Sequence, residues 1–296
     1  MSSFLSIGEC MVEFAPSGDG HFTMSFAGDT FNTAWYLRRM LSGQHDVGYA
    51  TMIGTDSISD AMQAFMQEAG INIGAVHRES ARTVGLYLIQ LKDGERSFSY
   101  WRSQSAARQY ASDRMRLQAD LAGRDMIFFS GISLAILPEA DRSVFLETLA
   151  DTRQSGTKVV FDTNLRPRLW PTVPAMREWT ERAAAIADIV MPSFEDEALY
   201  FGDKSPAATV ERYGGNSETV VVKNASDPVL VSSGGNKFTV SIHPVDQVVD
   251  STAAGDSFDA GFLAAILNGE SLQDAVGKGA ALAAKVVQGR GALVPV

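Results

Sequence analysis

The second half of the chain alternates short apolar segments with longer stretches of helical spacing, and this alternation restricts the possible folds strongly. The apolar segments, which we interpret as buried strands, lie at 126–129, 158–161, 189–191 and 219–222. Roughly a dozen residues or more separate most of them, the interval that a helical crossover between parallel strands needs. The pattern predicts an α/β fold with a doubly wound, mainly parallel sheet and helices on both of its faces.

The first half of the chain contains strand candidates of a different kind. Residues 21–26 and 84–101 alternate apolar and polar side chains, as strands do when one face is exposed. Residues 92–95 have the composition of a hairpin turn. We expect these strands to form a small separate sheet. It would be built from insertions at about 11–27 and 82–103 and would act as a lid on a single domain spanning 1–296.

Composition excludes several classes of partner. A chain of 296 residues with a net charge of −10 is not expected to bind nucleic acid or an anionic membrane surface. We see no signal peptide and no apolar run long enough to cross a bilayer, so we expect a cytoplasmic protein. The single cysteine, Cys10, excludes an internal disulfide and a thiolate metal cluster, and we predict that it is a small core residue.

The segment Asp250-Ser-Thr-Ala-Ala-Gly-Asp256 leads into an apolar helix, after a strand-like Val248-Val249. Its small residues let the backbone approach a ligand, and the N–H groups of a first helical turn attract phosphate. A bound phosphate would repel Asp256 unless this carboxylate has another task. The obvious task is to accept a proton from a hydroxyl that attacks a phosphoryl group. The alternative, a plain helix cap, does not explain the small-residue loop.

Other polar clusters follow the predicted strands. They are Gly8-Glu9, Ser130-Gly131, Asp162-Thr-Asn-Leu-Arg166, Pro192-Ser193 and Lys223-Asn224. Ligands of open α/β sheets bind beyond the carboxyl ends of the strands, so we expect these clusters to converge with Asp256 on one rim. The chain lacks the P-loop and dinucleotide-binding glycine patterns, and its four histidines lack metal-ligand spacing.

Two of these motifs resemble those of ribokinase-like (PfkB) sugar kinases. Segment 250–258 resembles the signature Asp-Thr-x-Gly-Ala-Gly-Asp-Ser-Phe, and Gly28-Asp-Thr-Phe-Asn-Thr-Ala34 resembles the turn that holds the sugar. With Tyr100-Trp-Arg102 and Asn164-Leu-Arg-Pro-Arg-Leu-Trp170 they resemble the 2-keto-3-deoxygluconate kinase branch, nearly end to end. The resemblance implies an ATP- and Mg²⁺-dependent kinase that phosphorylates the terminal 6-hydroxyl of this sugar acid.

The resemblance also implies roles for individual residues. Asp256 would take the proton, and the N–H groups of Ala254, Gly255 and Asp256, after Ala253, would hold the transferred phosphoryl group. The expected sugar contacts are Gly28, Asp29, Asn32, Tyr87, Tyr100, Arg102, Arg166 and Asp256. The expected nucleotide contacts are Asn164, Arg166, Ser193, Lys223, Asn224, Ala225, Ser226 and Asp227, with Ala253, Ala254 and Gly255. Mg²⁺ keeps most of its waters, so Asp196 would reach it through water.

Ordinary explanations compete for several of these residues. Asp196 replaces a family glutamate, and it is equally well explained as an acidic residue at a helix N-terminus. Arg166 is alternatively an ordinary surface arginine, and Tyr87 is alternatively a residue that packs within the lid sheet. For the nucleotide segment 223–228, a plain β-turn at Ser226-Asp-Pro228 is the alternative. Ala253 replaces the family's first glycine, which is tolerable at a helical or extended φ but not at a positive φ. The same alanine looks typical of the ketodeoxygluconate branch.

The substrate class depends on the arginines. A carboxylate calls for a planar, two-pronged donor, which Arg102 or Arg166 supplies. Three other functions are possible: a kinase for a neutral sugar such as fructose or ribose, a catalytically inactive, sugar-sensing member of the fold, and, as the weakest alternative, a nucleoside kinase. A neutral sugar offers the arginines no charge to pair, and an intact Asp256 argues against an inactive protein. Apolar residues of the lid, such as Phe22, Leu86 and Phe98, predict a homo-oligomer that pairs through the lid sheet.

Overall fold

The computed structural model describes residues 2–92, 95–243, 245 and 247–296. Its strands in chain order are β1 (Ser3–Ile7), β2 (Met11–Gly18), β3 (His21–Ala27), β4 (Asp46–Ile53), β5 (Asn72–Arg78), β6 (Gly85–Lys92), β7 (Glu95–Trp101), β8 (Met126–Ser130), β9 (Lys158–Asp162), β10 (Ile189–Val190), β11 (Thr219–Val222), β12 (Val229–Ser233) and β13 (Asn236–Val240). The helices are α1 (Asp29–Met40), α2 (Ser57–Glu68), α3 (Arg114–Leu121), α4 (Gly131–Ala135), α5 (Glu139–Gln154), α6 (Val173–Ala185), α7 (Phe194–Tyr200), α8 (Pro206–Tyr213), α9 (Ala254–Leu267) and α10 (Leu272–Val286).

The large sheet has nine strands in the order β13-β12-β11-β10-β9-β8-β1-β4-β5. The pairs from β11 to β5 are parallel, and β12 and β13 add an antiparallel edge. The four strands predicted in the second half of the chain are β8 to β11, so the α/β prediction is confirmed. The chain runs outward from β1 to β5 and returns as β8 on the other side of β1. The strand order therefore reverses between β1 and β8, where such sheets form ligand crevices.

Side chains from both faces of this sheet form the core. One layer contains Phe4, Phe31 and Phe262, and the opposite layer contains Phe129 and Phe161. Cys10 is buried in the first layer, which confirms that it is a small core residue. None of the helices in the described part of the chain combines the length and the apolar character that crossing a bilayer requires.

A second, four-stranded sheet has the order β3-β2-β6-β7. Both predicted alternating segments contribute strands to it. Strands β6 and β7 pair antiparallel, with Leu86 opposite Trp101. The predicted hairpin turn lies partly outside the described residues, at 93–94. One face of the sheet packs Tyr87 and Ile89 against Ala292. Trp101 is 60% exposed, so it is not part of the core of this chain.

The strand predicted at Val248-Val249 is wrong. The N–H groups of Val249 and Asp250 donate to the Val287 carbonyl at 2.8 and 3.1 Å. The segment is therefore bonded to the C-terminal end of α10 and does not join a sheet edge, although its residues are β-branched.

Residues 291–294 pass between the small sheet and α1. The Tyr36 hydroxyl donates to the Ala292 carbonyl at 2.8 Å and accepts from the Val294 N–H at 2.9 Å. The Gly291 N–H donates to Asp250 Oδ2 at 2.7 Å. The loop that precedes α9 is thereby attached to a segment that lies far along the chain.

Ala253 is the residue that immediately precedes α9. Its backbone has φ 60° and ψ 17°, in the left-handed region. This is the positive φ at which alanine, unlike glycine, is strained. Ala253 is therefore held there by its surroundings, against its intrinsic preference.

We predict that Ala253→Gly stabilises the protein. An alanine in the left-handed conformation costs about 1–2 kcal/mol, and glycine avoids this cost. Glycine also makes the unfolded chain more flexible, which offsets about 0.4–1 kcal/mol of the stabilisation. The free energy of unfolding in urea should therefore rise by about 0.5–1 kcal/mol.

Ala254→Gly is the matched control, because Ala254 is the first residue of α9 itself. It should lower the free energy of unfolding by up to about 1 kcal/mol. Equal losses in both variants would show that the left-handed backbone at Ala253 stores no strain.

Candidate active site

Asp256 lies in the first turn of α9, opposite the first turns of α1. Asn32 Nδ2 donates to Asp256 Oδ2 at 2.8 Å, and Thr33 Oγ1 donates to the Asp256 carbonyl at 3.2 Å. The Gly28 N–H donates back to Asn32 Oδ1 at 3.3 Å. The structure thus brings the predicted sugar turn and the predicted base together, although they are more than 220 residues apart in the chain.

The environment of Asp256 favours its protonated form. Burial, reinforced by the negative charge of Asp29, raises the pKa of Asp256 to about 7, while the hydrogen bond from Asn32 works in the opposite direction. A carboxylate with a pKa near the working pH is well suited to accept a proton and to release it again.

The Asp29 carboxylate lies at the point where the strand order reverses. Asp29 Oδ2 accepts hydrogen bonds from Ser130 Oγ at 2.5 Å and from Asn164 Nδ2 at 2.8 Å. These partners follow β8 and β9, so the polar clusters at two strand ends meet at the start of α1, as expected for the rim. Asn164, a predicted nucleotide contact, directs its amide to Asp29 in this structure. Burial raises the pKa of Asp29.

Lys223 lies beneath the loop that precedes α9. Its Nζ donates to Asp162 Oδ1 at 3.1 Å and to Asp259 Oδ1 at 2.9 Å. Burial alone would lower the pKa of the Lys223 ammonium, but these two carboxylates outweigh it and raise the pKa. A Cβ atom built on Gly255 would lie 3.9 Å from the Nζ, so the ammonium is close to the predicted phosphate loop.

The predicted nucleotide segment forms a turn between β11 and β12. The Asp227 N–H donates to the Asn224 carbonyl at 2.8 Å, and Ala225 takes a left-handed φ of 48°. The backbone of Ser193 pairs with that of Lys223, which places the two predicted nucleotide segments side by side. The observed turn runs from Asn224 to Asp227 and so only overlaps the predicted β-turn at Ser226-Asp-Pro228. The role toward a nucleotide stays a prediction.

One of the three N–H groups predicted to hold the phosphoryl group already has a hydrogen-bond acceptor within the chain. The Ala254 N–H donates to the Ser251 carbonyl at 3.2 Å. The N–H groups of Gly255 and Asp256 belong to the first helical turn, where N–H groups lack an acceptor inside the helix.

Two of the predicted sugar contacts on the small sheet bind buried carboxylates of the chain itself. The Tyr87 hydroxyl donates to Glu13, which also accepts from Ser25 Oγ at 2.9 Å. Arg102 Nη2 forms an ion pair with Glu9. Tyr87 thus has the packing role of the alternative explanation, and toward a ligand its hydroxyl oxygen acts as an acceptor.

Tyr100 differs from these two residues, because half of its surface is exposed. Its ring lies 5.9 Å from that of Tyr87 and stacks with Phe98 at 6.2 Å. The three rings form one aromatic surface on the small sheet.

Arg166 and Asp196 meet at the outer part of the rim. Arg166 Nη1 donates to the Leu165 carbonyl at 2.7 Å and lies 3.5 Å from Asp196 Oδ2. The Arg166 side chain is 51% exposed, so it can reach a ligand. Burial raises the pKa of Asp196, and the charge of Arg166 opposes this shift. Within the described residues no cluster of three or more histidine, cysteine or acidic side chains has the geometry to hold a metal ion.

Comparison with known proteins gives the family of this chain. The pfkB family of carbohydrate kinases matches residues 1–296. This chain belongs to that family. A 2-dehydro-3-deoxygluconokinase of Dickeya dadantii (strain 3937) is 40% identical over 98% of this chain and 96% of its own length. A protein of the same name from Haemophilus influenzae is 37% identical over 99% of this chain and 96% of its own length.

Solved structures of pfkB kinases have the same fold. A PfkB protein from Polaromonas sp. JS666 superimposes with a TM-score of 0.87 at 28% identity, covering 98% of this chain and 96% of that one. A fructokinase from Xylella fastidiosa with bound ATP superimposes with a TM-score of 0.84 at 24% identity, covering 98% and 93%. The ribokinase-like fold with its smaller sheet is therefore confirmed.

Asp259 and Glu13 of this pfkB kinase site had no role in the sequence analysis. They are buried carboxylates that pair with Lys223 and Tyr87. Their signal is an acidic residue inside an apolar segment, which implies a buried partner. Glu9, Ser130 and Asp162 belonged to predicted strand-end clusters, but their partners depend on how the strands and helices come together in the fold.

We predict that Lys223→Met strongly destabilises this pfkB kinase. The substitution leaves the Asp162 and Asp259 carboxylates buried without their cation, and breaking a buried ion pair in this way costs about 3–5 kcal/mol. The measurement is the free energy of unfolding in urea.

Lys158→Met provides the control. Lys158 pairs with Glu218 at 2.7 Å on the surface, and both side chains are half exposed or more. Its loss should cost only about 0–1 kcal/mol. A similar small cost for Lys223→Met would contradict the anchoring role of the buried triad.

Proposed function

We propose that this protein is an ATP-dependent 2-keto-3-deoxygluconate kinase (2-dehydro-3-deoxygluconokinase). It transfers the γ-phosphoryl group of ATP to the terminal 6-hydroxyl of the sugar acid and gives 2-keto-3-deoxy-6-phosphogluconate and ADP. The contact between Asn32 and Asp256 carries the proposal, because it joins the sugar turn to the base at a helix start. The names of the relatives support the acid substrate: those named 2-dehydro-3-deoxygluconokinase reach 40% identity, and those named fructokinase reach 27%.

The chemistry follows from the surroundings of Asp256. Its carboxylate accepts the proton of the 6-hydroxyl as the oxygen attacks phosphorus, and Asn32 fixes the orientation of the carboxylate. The first-turn N–H groups of Gly255 and Asp256 and the dipole of α9 stabilise the charge on the transferred phosphoryl group. An active base at this position argues against the inactive, sugar-sensing alternative.

ATP and Mg²⁺ belong to the proposal. The nucleotide is expected along Ser193 and residues 223–227. One structural neighbour, a putative ribokinase II from E. coli, was solved with ATP and Mg²⁺. Mg²⁺ would arrive with the nucleotide phosphates and keep most of its waters. Asp196 would hold it through water, and the ion would offset the charge of the phosphates.

The small sheet acts as the lid in this proposal. Closing it over the sugar excludes water, which would otherwise compete with the 6-hydroxyl for the phosphoryl group. We further propose a homo-oligomer that pairs through this sheet. Of the residues predicted for this contact, Phe22 and Phe98 are exposed, whereas Leu86 is partly buried against the core. Since the reaction consumes ATP, we place the enzyme in the cytoplasm.

Asp256→Asn should abolish most of the turnover, because an amide cannot accept the proton of the hydroxyl. General-base catalysis contributes about 10²–10⁴-fold, so kcat should fall by at least that range. Nucleotide affinity, measured by calorimetry, and the melting temperature should stay close to those of the wild type. A near-normal kcat would show that Asp256 is not the base.

The pH profile of kcat/KM should rise with pH through about 7, because the ionised form of Asp256 is the active one and its pKa is about 7. The charge of Asp29 raises this pKa and the hydrogen bond from Asn32 lowers it. Asp29→Asn should therefore move the rising limb to lower pH, and Asn32→Ala should move it to higher pH. Shifts in the same direction would exclude Asp256 as the titrating group.

A substrate panel tests the acid specificity. With ATP and Mg²⁺, the wild type should prefer 2-keto-3-deoxygluconate over gluconate, fructose and ribose. Arg102→Lys should lower kcat/KM for the acid roughly tenfold to a hundredfold, because lysine cannot reproduce a two-pronged contact and a charge-assisted hydrogen bond contributes about 1.5–3 kcal/mol. Activity on neutral sugars should fall much less.

Arg166→Ala distinguishes the two arginines. If Arg166 serves phosphate, its loss lowers turnover with every acceptor equally. An acid preference that survives Arg102→Ala but disappears in Arg166→Ala would reverse the two assignments. A wild type that prefers fructose or ribose would establish the neutral-sugar alternative instead.

A further inference from the structure

Glu9 and Arg102 form an enclosed ion pair at the edge of the site. The Glu9 side chain has no exposed surface, and that of Arg102 is 10% exposed. Arg102 Nε and Nη2 and both Glu9 carboxylate oxygens are enclosed without a hydrogen-bond partner among the described residues, apart from their mutual ion contact. Each group therefore depends on the other, because a buried charge without its partner is costly.

Two glycines make room for this pair. A Cβ atom on Gly85 would lie 2.7 Å from Glu9 Oε1 and 3.2 Å from Arg102 Cβ. A Cβ atom on Gly28 would lie 2.1 Å from the Glu9 carbonyl oxygen. Glu9 thus lies where the end of β1, the sugar turn and the strands of the small sheet come together, and its position is set by close backbone packing.

The pair encloses only part of the Arg102 side chain. Nε and Nη2 are enclosed, while a tenth of the side-chain surface stays exposed. A guanidinium carries five N–H donors in a rigid fork and can serve two carboxylates at once, one on each side. A flexible arginine without such an internal partner would have to be ordered by the ligand itself, at a cost to affinity.

We propose that Glu9 is a positioning residue that holds the Arg102 guanidinium in a fixed orientation for the sugar, and that it thereby sets the preference for a sugar acid. This role rests on the proposed function. The opposite role is a Glu9 that competes with the substrate carboxylate for the same guanidinium. The two roles differ in sign: removing the charge of Glu9 weakens acid binding in the first case and strengthens it in the second.

The test is Glu9→Gln, which keeps the size of the side chain and removes its charge. The KM for 2-keto-3-deoxygluconate should rise about tenfold, which corresponds to about 1.4 kcal/mol, while kcat changes far less. The KM of fructose, or its competitive inhibition constant, should stay unchanged. A lower KM for the acid, or an unchanged ratio of acid to fructose, overturns the positioning role.

The control is Glu197→Gln. Glu197 is equally buried and pairs with Arg212 Nη2 at 2.8 Å, on α7. This variant should lose stability without any change in the acid preference. A comparable change of preference would mean that any buried carboxylate produces the effect, which also overturns the proposal.

A double-mutant cycle with Arg102→Met tests whether Glu9 acts through Arg102. In the Arg102→Met background, Glu9→Gln should cause no further loss of acid preference, and a loss of full size there contradicts the proposal. If Glu9→Gln does not fold, Glu9→Asp retains the charge with a shorter reach, and it should raise the KM of the acid alone.

The wild-type panel separates this proposal from the function on which it rests. A wild type that prefers fructose refutes the proposed function. A wild type that prefers the acid, combined with a Glu9→Gln variant of unchanged preference, refutes only the role of Glu9.

Discussion

Crowding of buried negative charge is the constraint on which the rest of this site depends. Asp29, Asp162, Asp256 and Asp259 lie on one rim, and the Lys223 ammonium lies between two of them. Burial and mutual repulsion raise the pKa of Asp29, Asp256 and Asp259. The protein tolerates this concentration of acid because each carboxylate has a donor in contact with it. The same crowding keeps Asp256 close to the balance between its two protonation states.

The fold follows from this sequence to a large extent. A parallel sheet is buried on both faces, so its strands appear as continuous apolar runs, and β8 to β11 were recognisable for this reason. The reversal of strand order places the polar residues after β1, β8 and β9 close together, which is a property of the topology. The meeting of the sugar turn with Asp256 followed from the resemblance to the family, because no local pattern relates two segments so far apart.

The side-chain pairing could not be predicted in the same way. A single sequence shows that Arg102 follows a strand, but it does not show that Glu9, some ninety residues earlier, is enclosed against it. Val248 and Val249 have a high strand propensity, yet the N–H groups of Val249 and Asp250 donate to the Val287 carbonyl and not to a strand. The left-handed backbone conformation of Ala253 could not be predicted either. A positive φ in a non-glycine residue results from contacts with its surroundings and leaves no signal in the local sequence.

The attachment of Asp250 to Gly291 has a consequence for synthesis in the cell. The loop before α9 gains one of its hydrogen bonds only from a residue that is translated 41 positions later. Tyr36, near the start of the chain, is bonded to Ala292 and Val294 in the same region. While the ribosome still covers residues 291–294, the phosphate loop lacks this support. The nascent chain can therefore fold most of its large sheet before the loop that precedes α9 gains this hydrogen bond.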